Sequence, residues 1–234
     1  MGLREGIPAT ILRSDYRPPD FGVSHVELKV SIFEGRTEVV AALTIERKTA
    51  EEPPLRLDGE QLELQWIELD GQRLTDSQYE LSANQLVISG LPDRCVLKTC
   101  VEICPEENTS LEGFYRSQSA YCTQCEAEGF RKITYYPDRP DVLAVYTVTL
   151  EADQNACPVL LSNGNLISEE VLAGGRHRAT WHDPSPSLPI FLPWWRGTSN
   201  RYPMYSRPVR ERRLICEFGL KRKTSITAIT QCSL

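Results

Sequence analysis

The sequence predicts an all-β protein, an antiparallel β-sandwich or an open, curved antiparallel sheet. Three observations carry this. Short runs of alternating apolar and polar residues recur along the chain. Turn signals separate these runs at close intervals. No segment before residue 186 shows a sustained helical period with caps. Many short strands punctuated by turns are the mark of packed or curved antiparallel sheets.

The elements follow in order. Val26, Leu28, Val30 and Ile32 alternate with polar residues, as in a strand with one buried face. Thr37 to Ile45 is rich in β-branched residues, which pack well on a pleated surface. Gln61 to Leu69 alternates again and stops at Asp70-Gly71, a tight-turn dipeptide. Tyr79-Glu-Leu and Leu86-Val-Ile-Ser flank Ser82-Ala-Asn and read as a hairpin. Cys95 to Cys104, Leu143 to Leu150 and Val159 to Leu161 are further strands. Asn163-Gly164 before Leu166-Ile167 is a hairpin signal. Arg178 to Trp181 is expected to be the last strand, because the Pro-rich run Asp183-Pro-Ser-Pro-Ser-Leu-Pro follows. Beyond that run the β pattern dissolves.

A chain of 234 residues, 41% hydrophobic and 25% charged, can bury a core without disulfide staples. Met1 to Tyr16 holds no apolar run of signal-peptide length, and no stretch reads as a membrane helix. A cytoplasmic location is therefore expected, with the eight cysteines as free thiols. The net charge of −6 favours neither nucleic acid nor an anionic membrane as partner. That charge is unevenly spread. From Trp194 onward nine Lys and Arg face only Glu211 and Glu217, a net of +7 that leaves −13 on residues 1–193. A basic arm on an acidic body raises a nucleic-acid-binding alternative.

The candidate chemistry is sparse. Cys122-Thr-Gln-Cys125 is a C-x-x-C, but Cys95, Cys100 and Cys104 supply no second pair to complete a zinc site. A redox pair normally opens a helix, and this one sits among strands. His25, His177 and His182 are the only histidines and read as surface residues. No H-E-x-x-H, G-x-S-x-G or phosphate-binding glycine loop occurs. Tyr135-Tyr-Pro-Asp-Arg-Pro140 reads as a rigid turn, because each proline holds its neighbour extended. Glu126 and Glu128 are a carboxylate pair. At i, i+2 in an extended segment they would point the same way; an exposed acidic loop is the plain alternative.

Longer segments carry more. Leu111-Glu-Gly-Phe-Tyr-Arg-Ser117, Tyr121-Cys-Thr-Gln-Cys-Glu-Ala-Glu-Gly-Phe-Arg131 and Ile133-Thr-Tyr-Tyr-Pro-Asp-Arg-Pro-Asp-Val142 closely resemble bacterial aminopeptidase N, the alanyl type of gluzincin zinc metallopeptidase. Asp15-Tyr-Arg-Pro-Pro-Asp20, Pro54-Leu-Arg-Leu57, Leu86-Val-Ile-Ser-Gly-Leu-Pro92 and Leu160-Leu-Ser-Asn-Gly-Asn165 match in the same order. The resemblance implies a curved, saddle-like N-terminal β-domain that packs on a thermolysin-like catalytic domain. It implies that a Q-C-E loop, here Gln124 and Glu126, lines the pocket for the free amino end of a peptide. A carboxylate beside an ammonium gives charge-assisted recognition. Zinc and its H-E-x-x-H helix belong to the second domain, so this chain is expected to hold no metal and to be inactive alone.

The tail departs from the resemblance after Pro186. Tryptophan has a single codon, TGG, so the Trp194-Trp195 pair constrains the DNA. Leu192 to Thr198, written in suitable codons and read one nucleotide earlier, can give F-A-L-V-A-G-D, a strand such peptidases carry, with the central Val forced by the Trp pair. The organisation expected is thus an extension over residues 1–14, a β-domain over 15–186, and a frameshifted, poorly ordered tail over 187–234. The alternatives are a β-sandwich module that binds peptides or proteins without catalysis, and a nucleic-acid binder acting through the basic tail.

Overall fold

The computed structural model describes residues 12–117 and 120–189. Of the tail expected over 187–234, residues 190–234 lie outside the described residues, as does most of the expected N-terminal extension. Among the described residues thirteen strands run in chain order: β1 (Phe21–Phe33), β2 (Arg36–Arg47), β3 (Leu55–Asp58), β4 (Glu63–Leu69), β5 (Gln72–Arg73), β6 (Tyr79–Leu81), β7 (Gln85–Ile88), β8 (Arg94–Ile103), β9 (Gly113–Ser117), β10 (Ala120–Gln124), β11 (Ala144–Asp153), β12 (Asn165–Val171) and β13 (Arg176–Ser187). The described helical elements are short 3-10 turns of three residues each. No described helix is long and apolar enough to cross a membrane.

Eight strands form one sheet in the order β12-β13-β11-β1-β2-β8-β4-β5. A three-stranded sheet, β3-β7-β6, and the hairpin β9–β10 complete the set. All pairs are antiparallel except β1 with β11. Alternation explains the core. Val26, Leu28 and Val30 of β1, Val39, Ala41, Leu43 and Ile45 of β2, Leu97 and Val101 of β8, and Tyr146, Val148 and Leu150 of β11 all turn inward. Successive side chains of a strand point to opposite faces, so one face of the large sheet collects them. Leu55, Leu57, Leu86 and Ile88 of the three-stranded sheet join the same buried cluster. The architecture is the expected all-β sandwich.

Three local expectations need correction. Val159 to Leu161 is not a strand. Leu160 is buried, but its carbonyl accepts from the Trp181 indole at 3.2 Å, which replaces a ladder bond. Asn163-Gly164 does not join two paired strands. It leads into β12, and the chain reverses later, at Ala173-Gly174-Gly175, to pair β12 with β13. The last strand does not stop at Trp181 but continues through Pro184 and Pro186 to Ser187. β12 pairs with β13 only as far as His182. The prolines therefore sit where one edge is open, and the pairing with β11 is bulged there between Ala144 and Tyr146.

Candidate functional site

Gln124 and Glu126 fall at the end of the β9–β10 hairpin. Phe114 and Tyr121 stack across it at 5.5 Å between ring centroids. Gln124 is the last residue of β10, opposite Gly113, and its side chain is exposed. The strand then stops. The Gly129 amide donates to the Cys125 carbonyl at 2.9 Å, which folds residues 125–129 into a closed turn. The expectation that Glu126 and Glu128 share a strand face is therefore overturned: they lie in a turn, where the period of two does not apply.

Buried residues pin both ends of this exposed turn. Cys125 is 1% exposed, and Phe130 is fully buried with its ring edge-on to Tyr136 at 5.0 Å. Between them Glu126, Ala127 and Glu128 face solvent. Gly129 is fixed by close approach. A Cβ there would lie 2.5 Å from the Gln124 carbonyl oxygen and 2.8 Å from the Cys125 Cα.

Beneath the turn lies a polar clamp. The Arg131 amide and its Nε both donate to one oxygen of Asp138, each at 3.1 Å, and Nη2 donates to the Asp138 carbonyl at 3.0 Å. The same guanidinium reaches Glu128 at 3.8 Å and Glu60 at 4.0 Å. Burial is the largest single influence and works against its charge, but the Asp138 hydrogen bond together with the charges of Asp138, Asp58 and Glu128 holds the guanidinium above its ordinary value. Asp58 and Tyr136 exchange both backbone hydrogen bonds, at 2.8 and 3.1 Å, and Asp58 also accepts from the Asp138 amide. Gly59 lets the Tyr135 ring lie against the chain; a Cβ would meet that ring at 2.2 Å. The Tyr135–Pro140 segment is tied down at Tyr136, by its β-bridge to Asp58, and at Asp138, which anchors Arg131.

The two loop carboxylates differ. Glu128 belongs to the clamp. Among the described residues no hydrogen bond or ion pair holds the Glu126 side chain, so it stands as an exposed acceptor. The other candidates do not converge. His25 is exposed beside Ser24, His177 bonds the Cys157 carbonyl, and His182 bonds Thr147. Cys122 and Cys125 are not joined to each other and stand as thiols. Burial pushes both of those thiols above the ordinary range, opposite to what a reactive pair needs. Among the described residues no three His, Cys, Asp or Glu side chains come together as a metal would require.

Sequence reasoning found Gln124 and Glu126 but gave no role to Arg131, Asp138 or Asp58. All three stood in or near the quoted motifs. Arg131 and Asp138 lie seven residues apart, with no periodic pattern to pair them, and Asp58 meets Asp138 from eighty residues away.

The sequence model of the Peptidase M1 N-terminal domain matches residues 23–190. Aminopeptidase N of Caulobacter vibrioides is 46% identical over 190 residues, which is 81% of this chain and 22% of that protein. Aminopeptidase N of Escherichia coli is 46% identical over 185 residues, 79% of this chain and 21% of that protein. The chain thus spans about a fifth of the length of these relatives. Among solved structures, Legionella pneumophila aminopeptidase A in complex with aspartic acid has a TM-score of 0.75 at 34% identity, covering 79% of this chain and 22% of that one. An M1 zinc metallopeptidase from Deinococcus radiodurans has a TM-score of 0.65 at 17% identity, covering 76% and 42%. At that identity the likeness speaks for the fold alone.

Proposed function

The chain belongs to the Peptidase M1 N-terminal domain family, whose members are zinc metallopeptidases, and from that premise we propose that its Gln124–Glu128 turn recognises the free amino end of a peptide in an aminopeptidase. The carrying observation is the exposed, unpaired Glu126 carboxylate on a turn fixed at both ends. A fixed carboxylate and the Gln124 amide oxygen are both acceptors, which suits an ammonium with its several donors. Free α-amines would be preferred over blocked ones, the signature of an exopeptidase. The described residues offer no ligand set for zinc, so the hydrolytic chemistry is assigned to a thermolysin-like catalytic domain as partner. In this reading the Gln124–Glu128 turn binds the amino end and the catalytic domain cleaves.

Residues 187–234 we read as translated from a shifted frame, on the codon constraint of Trp194-Trp195. The coding DNA tests this. A frame one nucleotide earlier that fails to continue as an aminopeptidase past Ser187 ends the idea.

The functional test uses a chimaera in which residues 12–189 replace the matching segment of the Caulobacter relative. It should release alanine from an alanyl chromogenic substrate. Glu126→Ala should lower kcat/KM by about ten- to a hundredfold, the range for a hydrogen bond to a charged group, with zinc content unchanged. An active chimaera in which Glu126→Ala keeps full efficiency would refute the role of Glu126.

A further inference from the structure

We propose that Arg131 is a positioning residue that sorts the two carboxylates of the turn, holding Glu128 down so that Glu126 alone is offered to a ligand. This rests on the reading of the turn as an amine contact and goes further than it. Two carboxylates two residues apart in one exposed turn are otherwise equivalent acceptors. A single ammonium could then bridge to either, and the amine would have no fixed position. The guanidinium removes the equivalence. Its side chain is 17% exposed, and Asp138, at 3% exposed, anchors it through Nε. With one edge so fixed, Nη2 still reaches Glu128 at 3.8 Å and Nη1 reaches Glu60 at 4.0 Å. Glu60 is itself tied in, because its amide donates to the Arg131 carbonyl at 2.9 Å.

The arrangement has a chemical requirement that only arginine meets. One planar group must bind Asp138 and still direct its second edge at Glu128 and Glu60. A lysine ammonium is a point charge on a flexible stem and cannot hold both directions at once. The result is a turn in which Glu126 is the carboxylate left without a cation partner, open to one ammonium. Arg131 touches no ligand in this scheme; it acts through Glu128 and through the closure of the turn.

The test has two arms. In the full 234-residue chain, amide-resolved hydrogen exchange should show the Gly129 amide exchanging about fivefold faster in Glu128→Gln, the size expected of a half-exposed ion pair. Glu126→Gln, on the same turn, should leave it unchanged. Glu128 is exposed, so this variant folds even if substitutions of Arg131 do not. In the chimaera, Arg131→Lys should raise KM several-fold with kcat retained, and adding Glu128→Gln should restore much of the KM. Equal exchange in the two glutamate variants would overturn the proposal, as would loss of kcat without any rescue by Glu128→Gln. A Glu126→Ala chimaera with unaltered kcat/KM would remove the amine reading instead, while the exchange result still judges the clamp.

Discussion

Arg131 places its backbone amide and its guanidinium Nε on the same oxygen of Asp138, each at 3.1 Å. Seven residues separate the two. The pair closes the segment that carries Phe130, Ile133 and Tyr136 into the core, each of them fully buried.

Asp138→Ala should therefore destabilise the protein by about 3 kcal/mol, the low end for breaking a buried ion pair. Asp138→Asn should cost less, because its amide oxygen can still accept from the Arg131 backbone. Urea unfolding checks this. A midpoint for Asp138→Ala equal to that of the unsubstituted chain would contradict the assignment.

Gly129→Ala should destabilise by about 1–3 kcal/mol, the usual cost of overpacking. The clash falls on backbone atoms of Gln124 and Cys125, which cannot swing away as a side-chain end would. The damage should centre on the turn, seen as large amide shift changes at residues 124–129 and small ones in β2 and β8.

Glu126→Ala should leave stability within about 0.5 kcal/mol, since an exposed residue with no partner contributes little to folding. Thermal melts compare it with Glu151→Gln, a carboxylate on the large sheet. Glu151 is nearly buried and takes Arg178 at 2.5 and 2.6 Å and Lys29 at 3.3 Å. Burial would raise its carboxyl, but those cations outweigh it and hold it below its ordinary value of 4.5. A depressed value in the folded state gives stability that is present above the unfolded value and lost as pH falls through the folded one. Glu151→Gln should thus be less stable than the unsubstituted chain at pH 7 by about 1–2 kcal/mol. The gap should close as pH drops below about 4.5. A gap that persists in acid would speak against the charge pairing.

Thiol labelling should follow exposure. Cys104 is exposed and Cys122 half-buried, whereas Cys95, Cys100, Cys125 and Cys157 are buried. Burial pushes the Cys95 and Cys100 thiols up to about 11. Of the six described cysteines, iodoacetamide should in the native state modify Cys104 first and Cys122 next, with the buried four protected until the chain unfolds. Mass spectrometry of the digested protein reads the order. Rapid paired modification of Cys122 and Cys125 would revive the redox reading.

The sequence by itself determined the strands whose burial alternates over long runs. β1, β2, β8 and β11 were legible because each repeats its buried face every second residue, a purely local pattern. It also singled out Gln124 and Glu126, through the resemblance their surroundings carry. β4, the β6–β7 hairpin and part of β13 were legible as well; tertiary structure alone decided what remained. β3, β9 and β10 are four or five residues long, too short for alternation to stand out, and their identity comes from partners: Leu55 pairs with Ile88, and Gly113 with Gln124. Val159 to Leu161 had the apolar content of a strand but found no neighbouring edge to bond. The difference between Glu126 and Glu128 was equally invisible, since both are glutamates in one acidic stretch. It is set by where Arg131 points, and that depends on Asp138, whose amide is in turn held by Asp58 from eighty residues earlier. Local pattern records which face a side chain prefers; which charge is left unpaired depends on distant groups that only folding brings within a few ångströms.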